Sequence, residues 1–459
     1  MNDHQPSAPG WKRWFRFRLR TLLIAVTLAT IAFAWCRSQM LAAHRQRELA
    51  AAVEAAGGVV YYDWENHTPG EQPWTVEGLS FKSVSEQNLP PGPTWLREWI
   101  GDEYFQEIVE VDFEHRPYFH FGLIPTVGSD GNESADEGDD AKTIAQDDPM
   151  VVLDNYPEDR RLFDDVLQKV GRVPSVRYLY LGGGGYVDDT MLVPLKNLDQ
   201  LEELDLSHQD ITGEGLIPLS QLKNLRRLDL SETPFTDAGL YHLKQIENLE
   251  YVNLRKTKIS GRRLGYLLEL TRLRELDLSY LRLIKDEGDY RDWTRPAEVL
   301  GQMTQLRVLR LRHTKLDNYT FVTKLSNLEE LDGSGTDMVR WEEDTRLGDL
   351  TKLKILRLAQ TMVGADHLAS FAKLQSLEEL DVSATYVDDA DCEILCQLKN
   401  LKRLCLERST VSTIGVERLK SAFPQLDLYG YQGIDPATVH SVDVPIDDPN
   451  WISPMTPIF

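Results

Sequence analysis

Cysteine is scarce: four in 459 residues, far too few for a disulfide framework. Cys36 lies in a hydrophobic run, while Cys392, Cys396 and Cys405 occupy a core, an outward and a surface place of a repeated pattern, with no zinc-ligand spacing. Positive charge is also in deficit. Fifty Lys/Arg face 73 Asp/Glu, a formal −23, and eight of those cations fall within residues 1–47, so the remainder is more acidic than the whole. Such a chain repels phosphate backbones, which argues against nucleic acid as a partner. Catalytic constellations are missing too: no Ser/His/Asp set, Cys/His pair or His-Glu-x-x-His spacing occurs. His115 and His120 stand without a third ligand. Gly182–Gly185 lacks the Lys-Ser/Thr of a phosphate loop and reads as a turn. Asp130-x-Asn132-x-Ser134 starts like a calcium loop, but Ala135 and Ala141 stand where Gly and Glu are needed. The expectation is a binding protein and not an enzyme, with no metal and no cofactor.

Long hydrophobic runs are absent except for one. Trp11 to Arg20 is a basic aromatic stretch, and Thr21 to Cys36 passes without a charge before Arg37. As a helix that span measures ~24 Å, a little under the ~30 Å of a bilayer core, and Leu19, Trp35 and the flanking arginines can supply the rest. We therefore divide this part into a basic cytoplasmic tail (1–20), a transmembrane signal-anchor helix (21–36) and a juxtamembrane helix (37–56) ended by Gly57-Gly58. Five basic residues precede the span and three follow, placing the N-terminus in the cytoplasm and the rest outside. The alternative is a secreted chain cleaved near Ala34, since Ala32-Phe33-Ala34 matches a small-x-small site.

What the chain has in quantity is periodicity. Val176, Leu201, Leu225, Leu249, Leu273, Leu306, Leu328, Leu353, Leu377, Leu401 and Leu426 open segments mostly 24 or 25 residues long, as in Leu225-Arg-Arg-Leu228-Asp-Leu230. Periods of 20–29 with L-x-x-L-x-L mark a leucine-rich repeat. Leu228/Leu230 alternate as one face of a strand, and Leu240, Leu243 and Ile246 recur every three residues as a helical or 3-10 face. The fold class expected is thus an α/β solenoid, with a parallel sheet on the concave side and short helices or 3-10 turns on the convex side, spanning 176–428. Eight residues after the start most repeats carry a hydroxyl, Thr233, Thr257, Thr314, Thr336, Thr361, Thr385 and Ser409, suited to binding backbone groups in the turn leaving the strand. Thr236-Asp237 and Asp388-Asp389 stand where helix caps are wanted.

Before the array lie a cap region (57–107) and an irregular first repeat (108–175). Ile108, Val111 and Phe113 have strand spacing, and Leu162, Phe163, Val166, Leu167 and Val170 form a helical face ended by Gly171. Between them residues 128–149 carry eight acids against Lys142 alone, too polar to order themselves. Residues 429–459 read as an extended tail with five prolines between 436 and 457. The Arg-Phe-Arg-Leu-Arg-Thr-Leu-Leu start, the Ala-rich helix, Gly57-Gly58-Val59-Val60-Tyr61-Tyr62-Asp63-Trp64 and Pro93-Thr94-Trp95-Leu96-Arg97-Glu98-Trp99-Ile100-Gly101-Asp102 followed by repeats resemble the single-pass leucine-rich-repeat proteins of planctomycete bacteria. The resemblance implies architecture and supplies no mechanism or site.

Outward residues between the strand leucines are the candidates for function. Asp277, Arg310, Asp332, Arg357 and Asp381 should form an exposed row of alternating charge, parallel strands being ~4.8 Å apart. Tyr251 and Arg312 lie alongside. Tyr290 and Trp293 belong to a loop inserted in the repeat at Leu273, and Trp341 to the irregular repeat at Leu328, so these two loops add contact surface. The expected partner is a protein or peptide, bound by a membrane-tethered scaffold. The alternatives are an adaptor that recruits a separate enzyme and a structural envelope component without a discrete ligand.

Overall fold

A computed structural model describes residues 19–63, 97, 106–113, 156–283, 295–316, 318–338 and 347–429. Helix α1 (Leu19–Ala55) is followed by β1 (Val59–Tyr62) and β2 (Ile108–Asp112), and then by helix α2 (Tyr156–Val170). The repeats contribute β3 (Tyr178–Tyr180), β4 (Glu203–Asp205), β5 (Arg227–Asp229), β6 (Tyr251–Asn253) and β7 (Glu275–Asp277). After β8 (Arg282–Leu283) come β9 (Val308–Arg310), β10 (Lys315–Leu316), β11 (Glu330–Asp332), β12 (Ile355–Arg357), β13 (Glu379–Asp381), β14 (Arg403–Cys405) and β15 (Asp427–Tyr429). All but β8 and β10 join one 13-stranded sheet in chain order, parallel from β2 onward, with β1 antiparallel at the end. The fold is a leucine-rich-repeat solenoid.

One aliphatic residue, leucine in every case but Val252 of β6, stands at the centre of each three-residue strand, and the register places these residues side by side: Leu204 beside Leu228, Leu276 beside Leu309, Leu331 beside Leu356. All are fully buried, as are the convex-side Leu240, Leu243, Leu264 and Leu267. No repeat can close its core alone, so stability is shared between neighbours.

The turn leaving each strand is built from three columns. First, the aspartate ending a strand accepts the N–H of the serine two residues on, as in Ser207 to Asp205 (2.7 Å), Ser231 to Asp229 (2.8 Å), Ser279 to Asp277 (2.8 Å) and Ser334 to Asp332 (2.9 Å). The next residue has left-handed backbone: His208, Glu232, Lys256, Tyr280, His313, Gln360, Ala384 and Arg408 all have φ between 51° and 62°. A non-glycine residue there costs ~1–2 kcal/mol. What offsets it is one more inter-repeat bond, because this residue's N–H donates to the next repeat, as in Glu232 to Arg255 O (2.8 Å) and Tyr280 to Arg312 O (2.7 Å). In the repeat at Leu328 the residue is Gly335, over which the His313 ring lies so closely that a Cβ would meet Nδ1 at 2.2 Å. Third comes the hydroxyl column, which donates back to the strand: Thr233 to Leu230 O (2.6 Å), Thr361 to Leu358 O (2.6 Å), Ser409 to Leu406 O (2.8 Å). Gly184 stands at this place in the repeat at Val176, and two later places also lack the hydroxyl. Gln209 fills one, donating to Leu181 O (2.6 Å) and Gly183 O (2.5 Å) and accepting from Val187 N–H (2.7 Å). Leu281 occupies the other, and Thr314 of the next repeat reaches back to Leu278 O (2.7 Å).

The paired carboxylates divide their work instead of acting jointly as caps. Asp388 acts locally, accepting from Ala390 N–H at 2.8 Å. Asp389 and Asp237 reach the following repeat, binding Ser412 N–H (2.7 Å) and Ser260 N–H (2.9 Å). The expectation of helix caps is corrected: Asp388 binds the turn ahead of the short helix Cys392–Leu395, and Asp389 and Asp237 are staples between repeats.

At the N-terminal end α1 is a single helix of 37 residues that runs on without a break after Cys36. From Leu22 to Ala42 every side chain is exposed, and the helix Leu22–Ala55 is long and apolar enough to cross a membrane. Thr27 and Thr30 donate their hydroxyls to Leu23 O and Thr27 O, both at 2.8 Å, so these polar groups are satisfied within the helix. Its last turns are different. Leu49, Ala52, Val53 and Ala56, at i, i+3, i+4 and i+7, are buried with Phe163, Val166, Leu167 and Val170 of α2 and Ile108, Val111 and Phe113 of β2. The same helix that projects outward closes the end of the array.

Candidate functional site

Each repeat strand turns its first and third residues outward to the concave face and its middle aliphatic residue inward. Along the sheet the third residues run Asp205, Asp229, Asn253, Asp277, Arg310, Asp332, Arg357, Asp381, Cys405, and the register sets each beside the next. Asp277, Arg310, Asp332, Arg357 and Asp381 therefore do stand in a row. The row is not uniformly exposed. Asp277 and Asp332 are buried, at 8% and 9% exposure, while Arg310, Arg357 and Asp381 are half-buried. The reason is the serine turn: a carboxylate that binds a backbone N–H two residues on folds down against the sheet, where longer neighbours cover it.

Nor do the arginines pair principally along that row. Arg310 Nε donates to Glu330 Oε1 at 3.0 Å, Arg357 bonds the same oxygen at 3.0 Å and Glu379 Oε1 at 2.6 Å, and Arg403 pairs with Glu379. The continuous ladder is Arg310–Glu330–Arg357–Glu379–Arg403, zigzagging between third and first places as far as Glu379, because a guanidinium is long enough to cross diagonally, and then running straight across to Arg403, opposite Glu379 in register. Arg310 and Arg357 are held above their ordinary range: burial opposes their charge, and Glu330, Asp277 and Glu379 outweigh it. Half-exposed Val308 and Ile355 lie in the gaps, flanking Glu330 in register.

Toward the N-terminus the face changes character. Arg227 lies 4.1 Å from the Tyr251 ring centre, with Nε 3.3 Å from Glu203 and a terminal nitrogen 3.9 Å from Glu275. Burial, with Asp229 and Asp277 nearby, pushes the Tyr251 phenol up, and burial does the same to Glu203. Asp229 is pushed up to about 7 by burial and by Asp205, despite accepting bonds from Ser231 and, at 2.7 Å, Asn253. Tyr178 and Tyr180 extend this face on β3. Tyr178 and Tyr180 were not singled out in the sequence, and Glu330 and Glu379 were legible there only as outward places of the strand pattern, not as the partners of the arginines.

Of the other candidates, Arg312 is exposed in the turn beyond β9, off the concave sheet. Tyr290, Trp293 and Trp341 lie outside the described residues, as do His115, His120 and segment 128–149. Their loops leave from equivalent points, after β8 and after Met338, on one rim of the array. Gly183, Gly184 and Gly185 form a turn with positive φ, Gly183 N–H bonding Ser207 O at 3.0 Å. Cys392 is buried in the convex core, its thiol pushed up to about 12 by burial, and Cys405 is buried at the end of β14 although its place is concave. Cys396, expected outward, is partly buried against the core. Among the described residues no group of three His, Cys, Asp or Glu side chains is arranged to hold a metal ion.

A family model described as Leucine Rich repeat matches residues 201–220 and 221–243. No curated protein matches the sequence significantly. Among solved structures the chain is similar to a leucine-rich-repeat protein of Leptospira interrogans, with 23% identity and a TM-score of 0.42 over 57% of this chain and 62% of that one, less than two thirds of its length. It is also similar to an internalin of Listeria monocytogenes, with 21% identity, a TM-score of 0.40, and 57% and 82% of the two chains covered. The corresponding values for the mouse RP105/MD-1 complex are 18%, 0.40, 57% and 48%.

Proposed function

We propose that this leucine-rich-repeat solenoid is a membrane-tethered scaffold that recognises a protein or peptide through its concave face and the two irregular loops beside it. The observation that carries this reading is the concave sheet itself: a rigid, regularly spaced surface on which half-exposed Tyr251, Arg310, Val308, Ile355 and Arg357 alternate with pre-paired carboxylates. Side chains already held in place lose little freedom on binding, and tyrosine and arginine contribute most to interfaces. Binding without catalysis is also the role that suits a surface of this openness.

The tether is α1. Its exposed, uncharged stretch up to Cys36 and its buried last turns couple an insertable segment directly to the cap, and the likeness of the N-terminal parts to planctomycete single-pass proteins supports the same arrangement. On this reading the basic tail stays in the cytoplasm and the repeats stand on the outer side. Carbonate-washed membranes should retain the full chain, with a blocked or intact N-terminus. A mature N-terminus at Trp35 would replace the anchor with secretion. The binding role is tested with the full-length protein in neutral detergent, comparing wild type with Ile355→Arg. Register places residue 355 between Glu330 and Glu379, so the new arginine fits the ladder while blocking the face. A discrete partner held by wild type and lost by the variant supports recognition at this face; equal retention by both removes it.

A further inference from the structure

Although the chain as a whole carries −23, residues 255–316 hold 15 Lys/Arg against eight Asp/Glu, and the fold sets five of the exposed cations on one rim, while exposed Arg274 and Arg307 stand at the other end of the strands. In the turns beyond the strands Lys315 pairs in register with Arg282, and Lys258 bridges back to Thr236. Lys258, Arg282 and Lys315 are therefore the same place in three consecutive repeats, with Lys256 and Arg312 beside them in the same turns, and all five are exposed. Arg262 extends the group, because the adjoining Gly261 packs against Leu283 and Pro296, where a Cβ would meet Pro296 Cγ at 2.9 Å. The place is taken by uncharged Pro234 in the repeat at Leu225, by Asp210 in the repeat at Leu201 and by Asp337 in the repeat at Leu328, so the cationic row ends on both sides.

At its centre stands Tyr280, exposed in the left-handed turn position. Arg255 and Lys256 lie 5.1 and 5.5 Å from its ring centre, and the His313 ring centre is 5.0 Å away. Glu232 holds Arg255 (3.0 Å) and Lys256 (3.1 Å). Among the described residues no carboxylate comes within ion-pair distance of Lys258, Arg262, Arg282 or Arg312.

We propose that this rim is a docking surface for a short acidic segment of a polypeptide, separate from the concave face and independent of its function. Charge complementarity is the first argument, since a patch of guanidinium and ammonium groups on an otherwise acidic surface costs self-repulsion unless carboxylates meet it. Size is the second. Three parallel strands ~4.8 Å apart give a row of roughly 10 Å, the length of three or four extended residues. A long polyanion such as nucleic acid would run on past Asp210 and Asp337 into repeats of its own sign. The third is Tyr280, which offers an acidic peptide the apolar contact that interfaces built on arginine and tyrosine use.

The test measures anisotropy of a fluorescein-labelled (Asp-Glu)4 octapeptide with the full-length protein in neutral detergent, against a (Ser-Gly)4 octapeptide and a 20-nucleotide oligothymidylate. Binding of (Asp-Glu)4 alone is expected, weakening as salt rises. Lys258→Glu/Arg282→Glu/Arg312→Glu should weaken it by about tenfold or more, at the scale of several exposed charge pairs. The milder Arg282→Gln/Arg312→Gln should show a smaller loss in the same direction if the triple variant does not fold, and Ile355→Arg should show none. Absence of binding, insensitivity to these rim variants, or tighter binding of the oligothymidylate overturns the proposal. So does binding that develops only after deletion of 128–149, which would make the chain's own acidic insertion the occupant.

Discussion

An outward-facing aspartate at the end of a strand has two uses in this protein, and the difference sets how single residues respond to change. Asp229 is bonded to Ser231 and Asn253, yet is pushed up to about 7 by its burial and, after that, by Asp205 beside it. Its folded pKa exceeds its unfolded value, so the folded state binds an extra proton between about pH 4 and 7. Stability from this group is present below pH 4 and is lost as pH rises through 7, of order 4 kcal/mol at most. Asp229→Asn should remove that dependence: melting of the wild type should fall more than that of the variant between pH 5 and pH 8, and parallel curves would refute the assignment. Arg357 is the reverse case, a cation joined to Glu330 and the almost wholly buried Glu379. Arg357→Glu leaves those acids facing another and should cost roughly 3 kcal/mol, the scale of breaking a buried pair. Leu331→Ala, a cavity beneath the same ladder, should cost ~2–5 kcal/mol. In the sequence the two arginines were legible as a charged row, but an exposed row predicts only a slight loss on reversal. Which glutamate a guanidinium reaches depends on its diagonal length across two strands, and the pattern of letters does not carry that. The aspartates were misread for a related reason: a serine two residues later looks like an ordinary polar neighbour until the turn brings its N–H back to the carboxylate.

At the scale of elements, the repeats were legible because leucine spacing is set by strand and helix geometry and repeats eleven-fold along the chain. Their turns were only half so. Threonines formed a visible column, whereas the left-handed position is occupied by His208, Glu232, Lys256, Tyr280 and others that share no chemistry, because its strain is offset by a backbone bond to the next repeat. Gln209 was invisible as a substitute hydroxyl until its bonds to Leu181 and Gly183 were seen. Helix α1 shows a signal present but read too narrowly. Leu49, Ala52, Val53 and Ala56 have the spacing of a buried face, whereas helix propensity alone predicts only a juxtamembrane helix. A consequence follows for any soluble version of the protein. A fragment beginning at residue 57 exposes Phe163, Val166, Leu167 and Val170, whereas one beginning at residue 38 keeps them covered. Fragment 38–459 should melt at least several degrees above 57–459, a cap of four apolar side chains being worth a few kcal/mol. Equal melting temperatures would mean that the end of α1 does not close the array.

For the molecule as a whole, charge is arranged in zones that composition hides: an uncharged exposed stretch of helix up to Cys36, a concave sheet whose ions are paired in a ladder, and a cationic rim over three repeats of an acidic chain. A ladder neutralised from within is suited to hold a surface in shape, and the tyrosines and the aliphatic gaps at Val308 and Ile355 are suited to touch another molecule. The proposed scaffold thus separates what keeps the face rigid from what the face presents. Site-specific photo-crosslinking tests this most directly. A benzophenone side chain is placed at Ile355 on the concave sheet, or at exposed Lys196 on the convex side, in full-length protein in its native membranes. The account predicts a discrete crosslinked protein from position 355 and none from position 196. No product from 355, or the same products from both, would contradict it.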